Sequence, residues 1–195
     1  MGGFHWGDDI IFDSTSGGLD SDGGFKRSTA MLKGLVEDDV MEKCGYKARE
    51  IMVFGFGQGA MAALNLARKY ASSLHLHPAD HTPVAISQSP KDAANAELGG
   101  IVSIGAPLPS EAPAALVAKC KTPILVCAGN DDTSVTSAAE DKLKRIFDFV
   151  EVKRYRRAGD VMPNSRDEMT PIMQFFARRL RSTKGVPAGS VEIGR

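Results

Sequence analysis

This 195-residue chain has no surplus of either charge, no long apolar run and no histidine beyond His81. Lys plus Arg and Asp plus Glu number 24 each, so the formal net charge is zero. A nucleic-acid surface or polybasic membrane anchor is therefore not expected. No stretch approaches the roughly 18 apolar residues of a membrane-crossing helix. The start, Met-Gly-Gly-Phe-His-Trp, lacks the basic region and apolar centre of a secretory leader. Trp6 stands where a myristoylation signal beginning at Gly2 has Ser or Thr. The three cysteines, Cys44, Cys120 and Cys127, match no zinc or redox spacing. Cys127 lies in an apolar run and reads as a buried thiol, and a reducing, cytoplasmic compartment is expected.

Metals are poorly provided for. His75, His77 and His81 cluster, but with no cysteine and only Asp80 as a nearby carboxylate. The stretch reads as a surface loop. Asp20-Ser-Asp22-Gly23 resembles the opening of a calcium loop, yet Met31 stands where its closing glutamate belongs. That stretch reads as a solvated loop ending in a helix cap. No metal or cofactor is expected.

What the chain does have is a strand-turn-helix unit. The apolar run Ile51 to Phe54 suits a buried strand. Gly55, Gly57 and Gly59 follow at alternate positions, then an Ala- and Leu-rich segment of high helix propensity. Before it, Leu32, Leu35, Val36 and Val40 mark one face of a helix over 25–44, with Gly45 as its stop. After it, the sequence predicts strands over 100–105, 123–127 and 150–155. Helices are predicted over 112–119, from Ser137 through a capping box with Glu140, and from Pro171. The Ser137 helix would bury Ala139, Leu143, Ile146 and Phe147. The last would bury Ile172, Met173, Phe176 and Leu180. This alternation specifies an α/β fold with a parallel sheet of about four strands, flanked by helices, with functional loops at the C-terminal strand ends.

Two chemistries use a glycine turn between strand and helix. A dinucleotide fingerprint, G-x-G-x-x-G/A, is matched by Gly55, Gly57 and Ala60. It also needs an acid ending the next strand. Asp80 has the spacing but follows no convincing strand, and the next clear strand ends in Gly105-Ala-Pro. A nucleophile elbow, G-x-S-x-G, is matched except at its centre, where Gly57 replaces serine. A hydrolase then needs an acid and a histidine in that chain order, and Asp132 supplies the acid after an apolar strand.

Taken together, the motifs resemble the phospholipase/carboxylesterase family that includes the acyl-protein thioesterases. His5-Trp6-Gly7-Asp8 resembles its Trp-x-Asp segment, and Gly55-Phe-Gly-Gln-Gly59 its Gly-Phe-Ser-Gln-Gly. The strand ending at Gly105 with Leu108-Pro109, the acid loop from Thr122 to Asp132, and Tyr155 to Gly159 follow in order. The resemblance covers about residues 4–181. It implies an α/β-hydrolase-like fold and a serine hydrolase of carboxylic esters and thioesters.

The departures fall on the chemistry. Gly57 takes the place of the family's serine, Asp160 that of its histidine, and Ala128 that of a histidine before the acid loop. The family's first strands and their Gly-rich oxyanion loop have no counterpart, leaving the backbone N–H of Gln58 as an oxyanion donor. Neither Ser103 nor the serines of 72–97 has an evident base. Loss of a triad lowers rates on the order of a millionfold. The expectation is a catalytically inactive relative, with Gly57, Asp132 and Asp160 at triad-equivalent positions. Glycine suits the strained backbone of the elbow. Asp132 is read as capping its loop or the following helix, and Asp160 as a solvated turn residue beside Arg156 and Arg157.

The alternatives are a hydrolase with a non-standard nucleophile and a nucleotide-binding module using the turn from Gly55 to Ala60. Residues 1–181 are read as a single, N-terminally truncated domain and 182–195 as a flexible tail. The strand from Ile51 to Phe54 would be an unpaired sheet edge. It would favour self-association or a protein partner, and an acyl chain or acylated protein is the expected ligand.

Overall fold

A computed structural model describes residues 5–8, 11–12, 19–20, 22, 24–73, 97–116 and 118–180. The histidine-bearing stretch with His75, His77 and His81, Asp80 and the expected tail 182–195 lie outside them.

Ile11–Phe12 (β1) and Leu19–Asp20 (β2) form a short antiparallel ladder. The main sheet consists of Met52–Phe56 (β3), Gly100–Ile104 (β4), Ile124–Gly129 (β5) and Val150–Tyr155 (β6). The strands lie side by side in chain order and all pair parallel. This is the expected four-strand α/β sheet, and β3 is one of its edges. The strand expected over Ile51–Phe54 runs two residues further, to Phe56, because the pairing continues in register from Met52↔Gly100 to Phe56↔Ile104.

Lys26–Gly34 (α1), Gln58–Ser73 (α2) and Ser137–Ile146 (α3) lie on one face of the sheet, and Arg166–Arg179 (α4) lies on the other. That division follows from right-handed crossovers between neighbouring parallel strands. On the first face Ile101, Ile124, Val126 and Ala128 pack with Leu64, Ala67, Leu143 and Ile146. On the second, Val102, Ile104, Leu125, Cys127 and Tyr155 pack with Ile172 and Phe175. Central strands β4 and β5 are buried throughout, which is why they read as unbroken apolar runs. Cys120 and Cys127 are buried and Cys44 is exposed. Burial pushes the Cys120 thiol up to about 11 and raises Cys127 as well, so neither is a ready nucleophile. No helix among the described residues is long and apolar enough to cross a membrane.

Several elements differ from expectation. The first helix winds as an α-helix to Gly34, then as a π-helix over Leu35–Lys43. The wider i→i+5 winding breaks the 3.6-residue stripe. Val36 stays buried while Leu35 is half exposed. The cap of α1 comes from a distance: Phe25 at its N-cap offers none, and Asp8 accepts from Lys26 N at 2.7 Å and Arg27 N at 2.9 Å. No helix forms over 112–119 among the described residues. Pro113 has no N–H to give, and Lys142 and Arg145 of α3 donate to the Pro109 and Ala114 carbonyls. The cap of α3 is Thr136, whose hydroxyl accepts from Ala139 N, and not Ser137. In α4 the start is Arg166, capped by Ser165, with Pro171 inside the helix. Its buried residues are Ile172 and Phe175, while Met173 and Leu180 are exposed.

Candidate functional site

The turn between β3 and α2 has the geometry of an elbow. Gly57 has φ +52°, a left-handed conformation that glycine adopts at little strain. Its N–H donates to the Ile104 carbonyl at 3.0 Å, and its carbonyl accepts from Ala60 and Met61, opening the helix. A Cβ built on Gly57 meets nothing within 4 Å. One on Gly55 would lie 2.5–2.6 Å from backbone atoms of Gly59 and Ala60, so strand and helix approach too closely for a side chain there. Gln58 is the first residue of α2, and its side-chain oxygen accepts from Trp6 N at 3.2 Å. Trp6 also covers Gly59, its indole nitrogen 3.4 Å from where a Cβ would stand. The segment from Trp6 to Asp8 thus braces both the elbow and the start of α1.

The structure places Asp160 against the loop that follows β5. Its Oδ1 accepts from Thr133 Oγ1 at 2.7 Å and from Gly129 N at 3.2 Å. Its Oδ2 accepts from Ser134 N at 2.7 Å, and Ser134 Oγ lies 2.9 Å away. The same hydroxyl is 3.1 Å from the Gly105 carbonyl, so its single proton serves both acceptors. A Cβ on Gly105 would fall 2.4 Å from Asp160 Cβ, so glycine ends β4 where this carboxylate crosses it. Burial pushes the Asp160 carboxyl up. The hydrogen bonds from Thr133, Ser134 and Gly129 outweigh it and hold the group below its ordinary range.

The expectation of a solvated turn acid beside Arg156 and Arg157 is thus corrected. Arg157 pairs bidentately with Glu168 of α4, at 2.8 and 3.0 Å, and donates to the Met162 carbonyl. The four donors of the acid loop converge on Asp160 because Ser and Thr follow Asp132 directly, a signal present in the sequence but not used.

Asp132 is exposed at the tip of that loop, with φ +48°, an uncommon value for a residue with a side chain. Among the described residues no hydrogen bond or ion pair involves its carboxylate. The expected capping role is therefore not found, since Thr136 caps α3. Gly57, Gly105 and Asp160 come together at the C-terminal end of the sheet, and it is Thr133 and Ser134, not Asp132, that hydrogen-bond the Asp160 carboxylate. Among the described residues no group of three or more His, Cys, Asp or Glu is arranged to hold a metal ion.

A residue the sequence did not single out anchors the same loop from the other face. Arg154 donates to the Gly129 carbonyl at 3.1 Å and the Val135 carbonyl at 2.6 Å, and pairs with Glu140 of α3. It thereby ties both ends of the loop to β6. Arg154→Met is expected to lower unfolding stability by about 2 kcal/mol, the scale of a few charge-assisted hydrogen bonds at a part-buried site. Urea denaturation measures this, and a loss within experimental error of zero would remove Arg154 from the anchoring role.

The family model described as phospholipase/carboxylesterase matches residues 1–76, which include the Trp6–Asp8 segment and the elbow. An uncharacterised hydrolase of Schizosaccharomyces pombe is 32% identical over 108 residues, covering 55% of this chain and 34% of the relative. The chain thus spans about a third of the length of the curated relative it matches. The carboxylesterase of Bacillus cereus superposes with a TM-score of 0.55 at 16% identity, over 89% of this chain and 73% of that one. Acyl-protein thioesterase 2 of Zea mays gives 0.55 at 22% identity, over 90% and 72%. These solved structures are alike in fold: the parallel sheet with flanking helices is α/β-hydrolase-like.

Proposed function

From this phospholipase/carboxylesterase-like sequence and α/β-hydrolase-like fold, we propose that the chain is a non-hydrolysing relative of the carboxylesterases and acyl-protein thioesterases, retaining their scaffold as a binding module. The observation that carries the reading is Asp160. At the position of the family's histidine stands a carboxylate whose oxygens are taken by Thr133, Ser134 and Gly129. A carboxylate held ionised by four donors is a poor proton acceptor at neutral pH. At the position of the nucleophile, Gly57 has no side chain to activate. Gln58 would keep the elbow's one oxyanion donor, but a donor alone stabilises a tetrahedral intermediate that nothing forms.

The ligand class that suits the scaffold is an acyl chain or acylated protein. Supporting it, Trp6, Phe56, Val161 and Met162 remain substantially exposed on the elbow and on loops of the same sheet end. A cytoplasmic location fits the buried, unpaired Cys120 and Cys127.

The test is hydrolysis of a fatty-acyl thioester and a p-nitrophenyl acyl ester by the purified chain, with Asp132→Ala alongside. The expected result is no rate above buffer for either protein. Turnover that falls in Asp132→Ala would overturn the reading and make Asp132 part of a working site.

A further inference from the structure

The segment from Trp6 to Asp8 belongs to no helix or strand, yet it is pinned at both ends. At one end the Asp8 carboxylate accepts from Lys26 N at 2.7 Å and Arg27 N at 2.9 Å, and Asp8 N donates to the Gly24 carbonyl at 2.9 Å. The two acceptor bonds go to N–H groups that the start of α1 leaves unpaired, so they hold the segment against a fixed point of the fold. At the other end Trp6 N donates to the Gln58 side chain at 3.2 Å. Between them Gly7 is buried.

What these bonds fix is the Trp6 indole. Its Nε1 lies 3.4 Å, and its Cδ1 and Cε2 3.8 Å, from where a Cβ on Gly59 would stand, so the ring lies against bare backbone in the first turn of α2. Two residues earlier, a Cβ on Gly57 meets nothing within 4 Å. An indole that is 40% exposed thus stands beside a turn whose central position carries no side chain. Indole and glycine backbone present surface without formal charge. A straight polymethylene chain is thin enough to cross a glycine, and it gains by covering the ring.

We propose that Trp6 is the wall against which an acyl chain lies at the elbow, and that Asp8 is the positioning residue that sets this wall. The inference rests on the reading of the protein as an acyl-binding module. Asp8 itself touches no ligand. It acts through Trp6, by holding the segment beforehand in the place it takes in the complex. Without that tether the segment has to be ordered at the moment of binding, a cost that weakens affinity about tenfold.

Trp6 is the only tryptophan of the sequence, so its emission reads the site directly. Dodecanoic acid is the probe. Titrated into the wild-type protein, it is expected to move Trp6 emission to shorter wavelength as the acyl chain covers the ring. Asp8→Ala is expected to move the ligand-free emission to longer wavelength and to weaken dodecanoic acid binding about tenfold. Gly59→Val, which puts a side chain where the indole lies, is expected to do both by a route that leaves the α1 cap in place. Ser165→Ala removes the cap of α4 and controls for a general loss of stability. Its emission and affinity are expected to match the wild type. Calorimetric binding that leaves Trp6 emission unmoved would overturn the proposal. So would wild-type affinity in Asp8→Ala, or an equal loss of affinity in Ser165→Ala. No binding by the wild type would overturn the acyl-binding reading and the wall with it. That failure is told apart from one at Asp8 alone, because the ligand-free Asp8→Ala spectrum depends on no ligand.

Discussion

Gly55→Ala is expected to lower unfolding stability by about 3 kcal/mol or more, or to prevent accumulation of folded protein. The added methyl would sit 2.5 Å from Ala60 Cα, 2.6 Å from Ala60 N and 2.6 Å from the Gly59 carbonyl oxygen. All three are backbone atoms in the first turn of α2, and none can rotate away. Relief requires the helix to move off the strand, and the buried Ala62, Ala63, Leu64 and Leu66 on that helix oppose it. For a chain of this size, 3 kcal/mol corresponds to a fall in Tm of roughly 10 °C. Gly57→Ser, two residues on, is the control. Its side chain enters open space, and the strain of a left-handed backbone amounts to about 1–2 kcal/mol. Thermal melts of the two variants decide the matter. Equal losses would mean that the close approach of strand and helix does not set the requirement at Gly55.

The second large effect is at Asp160. Asp160→Ala leaves the Gly129 and Ser134 N–H groups and the Thr133 hydroxyl without their acceptor. The expected loss at neutral pH is about 2–4 kcal/mol, because hydrogen bonds to an ionised group exceed neutral ones and the bonds from Gly129 and Thr133 are part-buried. The same carboxylate gives a pH signature. Its pKa is lower in the folded state than in the unfolded chain, so its stabilisation is fully present above the ordinary aspartate value near 4. That stabilisation disappears as pH falls below that value and the group takes up its proton. Asp160→Asn keeps the shape but sets an amide NH₂ against donors, so it is expected to resemble Asp160→Ala at pH 7. The gap between the variants and the wild type is expected to narrow as pH falls below about 4 and on through the lower folded-state value. Urea midpoints measured from about pH 3 to pH 7 test this. A gap between wild type and variants that stays constant across the range would exclude the carboxylate as the origin of the effect.

These two positions bear on how the proposed loss of chemistry is tolerated. In a working triad the histidine position must accept a proton and move it. Here the acid at position 160 bonds across to the loop after β5, and Arg154 holds that loop from the other face. The proposal is that a site once needing a mobile base now holds a fixed brace. Serine alone at Gly57 would have room but no base.

Much of this was legible in the chain itself. The parallel sheet followed from apolar runs in Ile101–Ile104 and Ile124–Cys127, because strands buried on both faces show no alternation to confuse the reading. The elbow followed from Gly55, Gly57 and Gly59, because few backbone paths join a strand to a helix in so few residues. That β3 is a sheet edge followed from the strand order that the family resemblance implied. Local signals were less decisive where long-range partners competed. No helix forms over 112–119 among the described residues, where Arg145 of α3 donates to the Ala114 carbonyl. The cap of α1 came from Asp8, 18 residues away, and α1 ran on into a π-helix.

What the sequence by itself determined was the succession of elements, the family resemblance and, as an expectation from that resemblance, Gly57 and Asp160 in place of serine and histidine. Those depend on periodicity and on identity at fixed spacing, which a linear chain displays. Only the tertiary structure decided what Asp160 does. It also decided that Asp132 is exposed, and that Arg154 anchors the loop. Each of these is a matter of which donor meets which acceptor across some 20 to 30 residues, as with Asp160 and Thr133, 27 positions apart. Hydrogen bonds are short-ranged and directional, and only the folded sheet fixes the distances that make them.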